Sequence, residues 1–133
     1  MNYVSRNYSK HLLMVHLIFV VKYRKPLLKN LGEEVKDLFS EIASEKGYSI
    51  IEIEVDIDHI HLLVQYQPST SVVEMVSSFK QLSTYRIWRQ KQNKDFLARH
   101  FWNEKTFWSD GYFACSIGNA SAQTIQNYIK NQG

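Results

Sequence analysis

Residues 58–66, Asp-His-Ile-His-Leu-Leu-Val-Gln-Tyr, decide the fold of this chain. Apolar and polar side chains alternate at the start of this stretch, which predicts a β-strand whose successive side chains point to opposite faces of a sheet. His59 and His61 therefore share one face. The other face carries the apolar residues Ile60, Leu62 and Val64. We expect a strand with one buried face and one face that presents two imidazoles.

The segments around this strand predict a small α+β domain. In chain order they are a strand at 11–23, a helix from 32 to 47, a strand at 49–57, the histidine strand, a helix from about 72 to 90, a strand at 111–117 and a helix from 121 to 132. The order βαββαβ is that of the ferredoxin-like fold, an antiparallel sheet with two helices on one face. The extra helix is then expected to cover the open face. Residues 92–109 fit either helix or loop.

The strand at 49–57 also alternates. Its pattern predicts one face with Ile51, Ile53, Val55 and Ile57 and a wet face with Glu52, Glu54 and Asp56.

Length and composition favour one soluble domain over residues 1–133. No apolar run approaches the ~20 residues that span a bilayer, and no secretion signal opens the chain. The single cysteine, Cys115, excludes an internal disulfide. We therefore expect a cytoplasmic protein with no membrane partner, associated with the nucleoid when it binds DNA.

Basic residues are concentrated in two segments of a chain whose net charge is +3. Residues 80–105 interleave basic side chains with aromatic ones, a combination that suits a nucleic-acid backbone and stacked bases; a solvated helix with an aromatic stripe explains the pattern about equally well. The other segment is residues 1–32, which have six basic residues and no acid and include the end of the first strand. The candidate DNA-binding residues are Lys22, Arg24, Lys25, Lys80, Arg86 and Arg89.

Two residues near the C-terminus could complete a site with the histidines. Tyr128 and Gln132 are four apart, so a helix places them on one face. Two imidazoles and the amide oxygen of Gln132 form a neutral ligand set for a divalent cation, either Mg²⁺ or Mn²⁺. Tyr128 would then be the catalytic residue, a nucleophile for in-line displacement at phosphorus.

The joint pattern resembles the single-tyrosine HUH transposases of small insertion sequences, the IS200-like family. The resemblance rests on His59-Ile60-His61, on Tyr128 with Gln132, and on the stretches 20–26 and 107–113. It implies an enzyme that nicks and rejoins single-stranded DNA through a covalent 5′-phosphotyrosine intermediate. It also implies a homodimer that recognises hairpins at the element's ends, with the tyrosine acting in cis or in trans.

Two other readings stay open on the residues alone. The same element order describes RNA-recognition modules, which bind without catalysis, and a metal phosphoesterase could use water in place of Tyr128. Asp58 could orient His59 or simply form the hairpin turn. His11, His16 and His100 have no evident partner in the sequence, and we expect them to be packing or surface residues.

Overall fold

The computed structural model describes residues 13–102, 104–116 and 122–131. Its elements are β1 (Leu13–Val20), α1 (Leu28–Lys46), β2 (Ser49–Val55), β3 (His59–Tyr66), α2 (Val72–Arg89), α3 (Lys91–His100), β4 (Phe113–Ser116) and α4 (Ala122–Lys130). The strands form one antiparallel sheet in the order β2-β3-β1-β4. The predicted α+β, ferredoxin-like arrangement is confirmed. None of the helices in the described ranges is long and apolar enough to cross a membrane.

The main hydrophobic core lies between one face of the sheet and the helices α1 and α2. Ile60, Leu62 and Val64 of β3 are all fully buried there, as predicted. The rings of Phe39 on α1 and Phe79 on α2 stack with centroids 4.9 Å apart. Burying an aliphatic or aromatic side chain of this size contributes about 1.5–3 kcal/mol, so this face supplies most of the stability of the sheet.

The prediction for the faces of β2 was partly wrong. Ile53 and Val55 pack against the core, but Ile51 is 48% exposed and Ile57 is 51% exposed. The pairing of β2 with β3 shifts between Ile50 and Glu52, so Ile51 is the extra residue of a bulge and Ile50 packs against the core instead. Ile57 lies in the turn between β2 and β3.

Local signals explain several element boundaries. Gly47 ends α1 in the left-handed region, with φ of 83°, as its position in the sequence predicts. Helix α1 begins earlier than predicted because Leu28 and Leu31 are buried and dock its first turn. Ser71 and Glu74 form a capping box at the start of α2. All of α3 except its first residue lies in the undecided segment 92–109, and the predicted start of the last helix at Ser121 lies outside the described residues.

Candidate active site

The two predicted histidines lie on the face of the sheet opposite the main core. Strand pairing sets His61 in a row that crosses the sheet from Glu54 on β2, through His61 and Ile18, to Phe113 on β4. Directly paired residues point to the same face. The parity predicted from the sequence is therefore confirmed, because Ile60 and its apolar neighbours face the core while the histidines face the other side.

His59 is held by a carboxylate from the adjoining turn. Its Nδ1 lies 3.0 Å from Oδ1 of Asp58, whose side chain is 13% exposed. This contact leaves Nε2 of His59 for another ligand, an arrangement typical of metal-binding histidines. Both roles considered for Asp58 apply, since it lies in the hairpin turn and also contacts the imidazole. The remaining nitrogen of His59 is thus a candidate donor for a divalent cation.

Arg24 approaches the same carboxylate from the segment after β1. Its Nε donates to Oδ2 of Asp58 at 3.2 Å, and its Nη1 lies 3.5 Å from the backbone oxygen of Lys130 at the end of α4. Tyr23 and Arg24 both adopt positive φ, 61° and 53°. Such a backbone costs about 1–3 kcal/mol per residue and persists where surrounding contacts enforce it. The strained turn directs Arg24 towards His59 and α4.

His61 has a different neighbour, which the sequence did not reveal. Nε2 of His61 lies 3.0 Å from Nδ1 of His16 on β1, and the two rings stack with centroids 5.2 Å apart. Burial is the main cause that lowers the pKa of His61 below its ordinary value, with a smaller contribution from His16. The prediction that His16 is a packing or surface residue misses this contact, because only the pairing of β1 with β3 brings the two rings together.

The histidines and α4 border an open cleft of about 650 Å³, here called the histidine cleft. Its lining includes Arg24, Glu54, Asp58, His59, His61, Gln126, Ile129 and Lys130. The predicted position of the last helix, over the open face of the sheet, agrees with this lining. Tyr128 does not line the cleft in the described conformation, since a helix directs it roughly opposite to Gln126 and Lys130.

Tyr128 packs instead on the ring of Phe113, with centroids 5.5 Å apart. Phe113 lies two strands from His61 in the same row, about 10 Å across the sheet. The hydroxyl of Tyr128 is buried, with no hydrogen-bond partner among the described residues, and burial raises its pKa to about 12. In this conformation the phenol is therefore poorly prepared to lose its proton.

The third predicted metal ligand, Gln132, lies outside the described residues. Within the described ranges no three His, Cys, Asp or Glu side chains are grouped so that they could hold a metal ion. A metal ion held by the two histidines would therefore need a third donor of another kind or from another part of the chain. The role of the Gln132 amide as the third metal ligand stays a prediction.

The candidate DNA-binding residues separate into distinct environments. A second cleft of about 690 Å³, here called the basic groove, is lined by Lys80, Tyr85, Trp88, Arg89, Lys94, Lys105 and Trp108, among others. Lys80 donates to the backbone oxygens of Ser109 and Asp110 at 2.7 and 2.9 Å, and burial lowers its pKa. It therefore holds the segment after α3 as well as lining the groove.

Two other members of that set make ion pairs within the described part of the chain. Arg86 contacts Glu41 and Glu45 on α1, each at 2.7 Å, and its guanidinium is thereby turned towards α1. Lys22 lies 3.9 Å from Asp110, whose side chain is almost fully exposed. Lys25 follows the strained turn as a half-buried residue. DNA binding by each of these residues stays a prediction.

Comparison with known proteins now decides the family. The family described as "Transposase IS200 like" matches residues 9–132. The chain belongs to the IS200-like transposases. The ISDra2 transposase TnpA of Deinococcus radiodurans is 30% identical over 122 residues, covering 88% of this chain and 81% of that protein. The transposase for insertion sequence element IS200 of Salmonella typhimurium is 31% identical over 120 residues, covering 88% of this chain and 74% of that protein.

Solved structures agree with the fold of this IS200-like transposase. A crystal structure of a candidate transposase from Deinococcus radiodurans R1 superposes with a TM-score of 0.83 at 28% identity, covering 96% of this chain and 95% of that one. A REP-associated tyrosine transposase bound to a REP hairpin gives a TM-score of 0.58 at 12% identity, covering 97% and 68%. The second likeness concerns the fold alone. The family match favours a transposase over an RNA-recognition module.

Proposed function

We propose that this protein nicks and rejoins single-stranded DNA at the ends of an insertion sequence, with Tyr128 as nucleophile and His59, His61 and Gln132 as metal ligands. One observation carries the proposal. The two histidines line the same cleft as the end of the helix that bears Tyr128. Membership in the transposase family supports DNA as the substrate.

In the proposed step, Oη of Tyr128 forms a bond to the phosphorus of one phosphodiester and the bond from phosphorus to the 3′ oxygen breaks. The strand downstream of the cut becomes joined to tyrosine through its 5′-phosphate, and the strand upstream of the cut leaves with a 3′-hydroxyl after its 3′ oxygen takes up a proton. The phenol loses its proton in the same step. Because the phosphotyrosine bond replaces the cut phosphodiester, a later attack by a 3′-hydroxyl can rejoin strands without a nucleotide cofactor.

The chain's own residues prepare the site for this step. Asp58 holds the imidazole of His59 by its Nδ1, and Arg24 holds Asp58. A bound Mg²⁺ or Mn²⁺ would supply Lewis-acid stabilisation of the charge that develops at the phosphate. Ligands without charge leave the positive charge of such a cation available to the anionic backbone of DNA.

The position of Tyr128 supports a homodimer in which the tyrosine of one protomer serves the cleft of its partner. Tyr128 lies on Phe113 rather than in its own protomer's cleft, and its hydroxyl lacks a hydrogen-bond partner among the described residues. Buried hydroxyls nearly always have one. An exchange of α4 between two-fold related copies would bring the phenol towards the histidine cleft of the partner protomer.

The basic groove is our candidate for the DNA hairpin. It combines basic side chains with Trp88 and the 59% exposed Tyr85, the groups that bind phosphates and stack on unpaired bases. A REP-associated tyrosine transposase of the same fold binds a REP hairpin. Arg89 and Lys94 are the members of the groove that we expect to contact phosphate.

The covalent step is tested with both strands of the DNA that flanks the gene, end-labelled and incubated with Mn²⁺ or Mg²⁺. We expect a metal-dependent DNA–protein adduct on a denaturing gel from the wild type and none from Tyr128→Phe. Tyr112→Phe is the matched control, and it should form the adduct normally. Cleavage that persists in Tyr128→Phe would instead establish a water-using phosphoesterase.

Mixing two inactive variants tests the exchange of α4. Tyr128→Phe and His59→Ala are refolded together or co-expressed, so that about half of the dimers contain one copy of each. Action in trans predicts about a quarter of wild-type cleavage, because each mixed dimer then has one complete site. No recovery, with mixed dimers verified by differential tagging, would show that tyrosine and histidines act within one protomer.

The basic groove is tested by comparing two arginines on the same helix. Arg89→Gln should weaken hairpin binding and reduce the slope of affinity against salt by about one ion. Arg86→Gln should leave both nearly unchanged, since its guanidinium is paired with Glu41 and Glu45. The opposite result would move the DNA surface to the side of α2 that faces α1.

A further inference from the structure

His16 contacts the histidine site from the neighbouring strand. It pairs directly with Leu63 on β3 and with Cys115 on β4, while His61 pairs with Ile18, two residues further along β1. His16 and His61 are therefore diagonal neighbours on the same face, a separation that ring side chains can bridge. Their nitrogens are 3.0 Å apart, and their planes differ by 29°.

The two predicted metal ligands are thus each engaged through one ring nitrogen. Asp58 contacts Nδ1 of His59, and His16 contacts Nε2 of His61. The nitrogen that a histidine offers to a metal is set by the hydrogen bond that its other nitrogen makes. This pattern leaves Nε2 of His59 and Nδ1 of His61 for a shared ligand.

We propose that His16 is a positioning residue for the metal site, which orients the ring of His61 and holds the proton on its Nε2 through their hydrogen bond. The inference rests on the proposed function, since it gives His16 a role only if His61 binds a metal. His16 then acts on His61 as Asp58 acts on His59, although its partner atom is an imidazole nitrogen instead of a carboxylate oxygen.

The surroundings of His61 support His16 as the orienting group. Glu54 lies directly opposite His61 on β2 and lines the histidine cleft, yet the ring nitrogen of His61 that has a hydrogen-bond contact meets His16, at 3.0 Å. Leu63 and Ile18, the direct partners of the two histidines on the adjoining strands, are buried and apolar. A half-buried imidazole in such surroundings gains from a polar neighbour at hydrogen-bond distance, and His16 is such a neighbour.

Mn²⁺ affinity of the full-length protein, measured by electron paramagnetic resonance without DNA, tests this role directly. His16→Phe retains a ring that can stack but removes the hydrogen bond, and we expect it to raise the Kd for Mn²⁺ by about 10-fold. His16→Gln, whose amide can still form a hydrogen bond, should raise the Kd for Mn²⁺ by less. Maximal cleavage at saturating Mn²⁺ should stay within about 2-fold of the wild type, because the ligands themselves are intact.

Cys115→Ser is the matched control, since Cys115 is the direct partner of His16 on β4, and its Kd should be unchanged. If His61→Ala loses Mn²⁺ binding while both His16 variants bind Mn²⁺ with the wild-type Kd, His16 only packs. The inference is then overturned and the proposed function stays intact. If His61→Ala binds Mn²⁺ like the wild type, the metal role fails and the inference fails with it.

A second measurement needs no variant that could fail to fold. Nitrogen-15 spectra of the metal-free wild type report which ring nitrogen of each histidine carries the proton. The inference predicts the Nε2-protonated tautomer for His61 and the Nδ1-protonated tautomer for His59. A His61 that is protonated on Nδ1 would overturn it.

Discussion

The two faces of β3 are built from alternate residues of one short strand, and they differ in the groups that their side chains contact. On one face Ile60, Leu62 and Val64 are fully buried against α1 and α2. On the other, His59 and His61 border an open cleft, and His59 contacts the adjoining Asp58 while His61 contacts His16 on β1. The core face holds the strand in place, while the two histidines at the start of the other face border a cleft and can carry chemistry.

The largest effect should follow from His59→Ala. We expect cleavage to fall by at least about 100-fold, because the variant removes a proposed metal ligand, and the supporting contacts of such a ligand alone are worth about 10- to 100-fold. Hairpin affinity, measured by gel shift, should change by less than about 2-fold. Equal losses of binding and cleavage would mean that the histidine face holds the DNA or the fold, and the contrast between the faces would fail.

Leu62→Ala makes the matching change on the core face. Removing a fully buried leucine should lower the free energy of unfolding by about 2–5 kcal/mol, measured by urea denaturation. Metal affinity of the folded protein should change little, since Leu62 points away from both imidazoles. His61→Ala should show the reverse, a small change in stability and a lost metal site. Similar stability losses for the two variants would contradict the division of roles.

Arg24→Gln sharpens the comparison at the edge of the histidine cleft. The variant removes the guanidinium from Asp58 and from the end of α4, and we expect cleavage to fall by about 10-fold as the support of His59 weakens. Hairpin binding measured by gel shift should stay within about 2-fold of the wild type. A loss confined to DNA affinity would make Arg24 a phosphate contact, as the sequence alone suggests.

The smallest effect concerns pH. Burial lowers the pKa of His61, so the folded state favours the neutral imidazole, and this contribution is present above the ordinary pKa of about 6.5. It is lost as pH falls through the lowered folded value. Metal-free protein should therefore lose stability from pH 7.5 to pH 5, and His61→Gln should lose less. An identical pH dependence in both proteins would show that His61 is not protected from protonation.

Much of the fold was predictable because its signals are local. Alternation in residues 58–66 identified β3 and its two faces, and Gly47 marked the end of α1. The bulge at Ile51 was not predictable, since an alternating sequence gives no sign of the residue at which pairing slips. The start of α1 at Leu28 depends on the burial of its first turn, which is a tertiary effect.

In the candidate site, too, some features have local signals in the sequence and others depend on tertiary structure. The sequence suggested His59, His61 and Tyr128 as candidates by their spacing, but the contact of His16 with His61 depends on strand register across 45 residues. The position of Tyr128 on Phe113 depends on how α4 docks, which no pattern within the helix reveals. The ion pairs of Arg86 with Glu41 and Glu45 on α1 likewise depend on how the two helices pack, and DNA binding by Arg86 stays a prediction.

The central claim is that the histidine face of the sheet works with Tyr128 in covalent DNA cleavage. The most direct measurement is mass spectrometry of the DNA–protein adduct after nuclease and trypsin digestion. Cleavage after Lys105 and Lys130 gives a peptide that contains both Tyr112 and Tyr128, so fragmentation must assign the modified residue. We expect a phosphonucleotide on Tyr128. A phosphonucleotide on Tyr112, or cut DNA with no modified peptide, would contradict it.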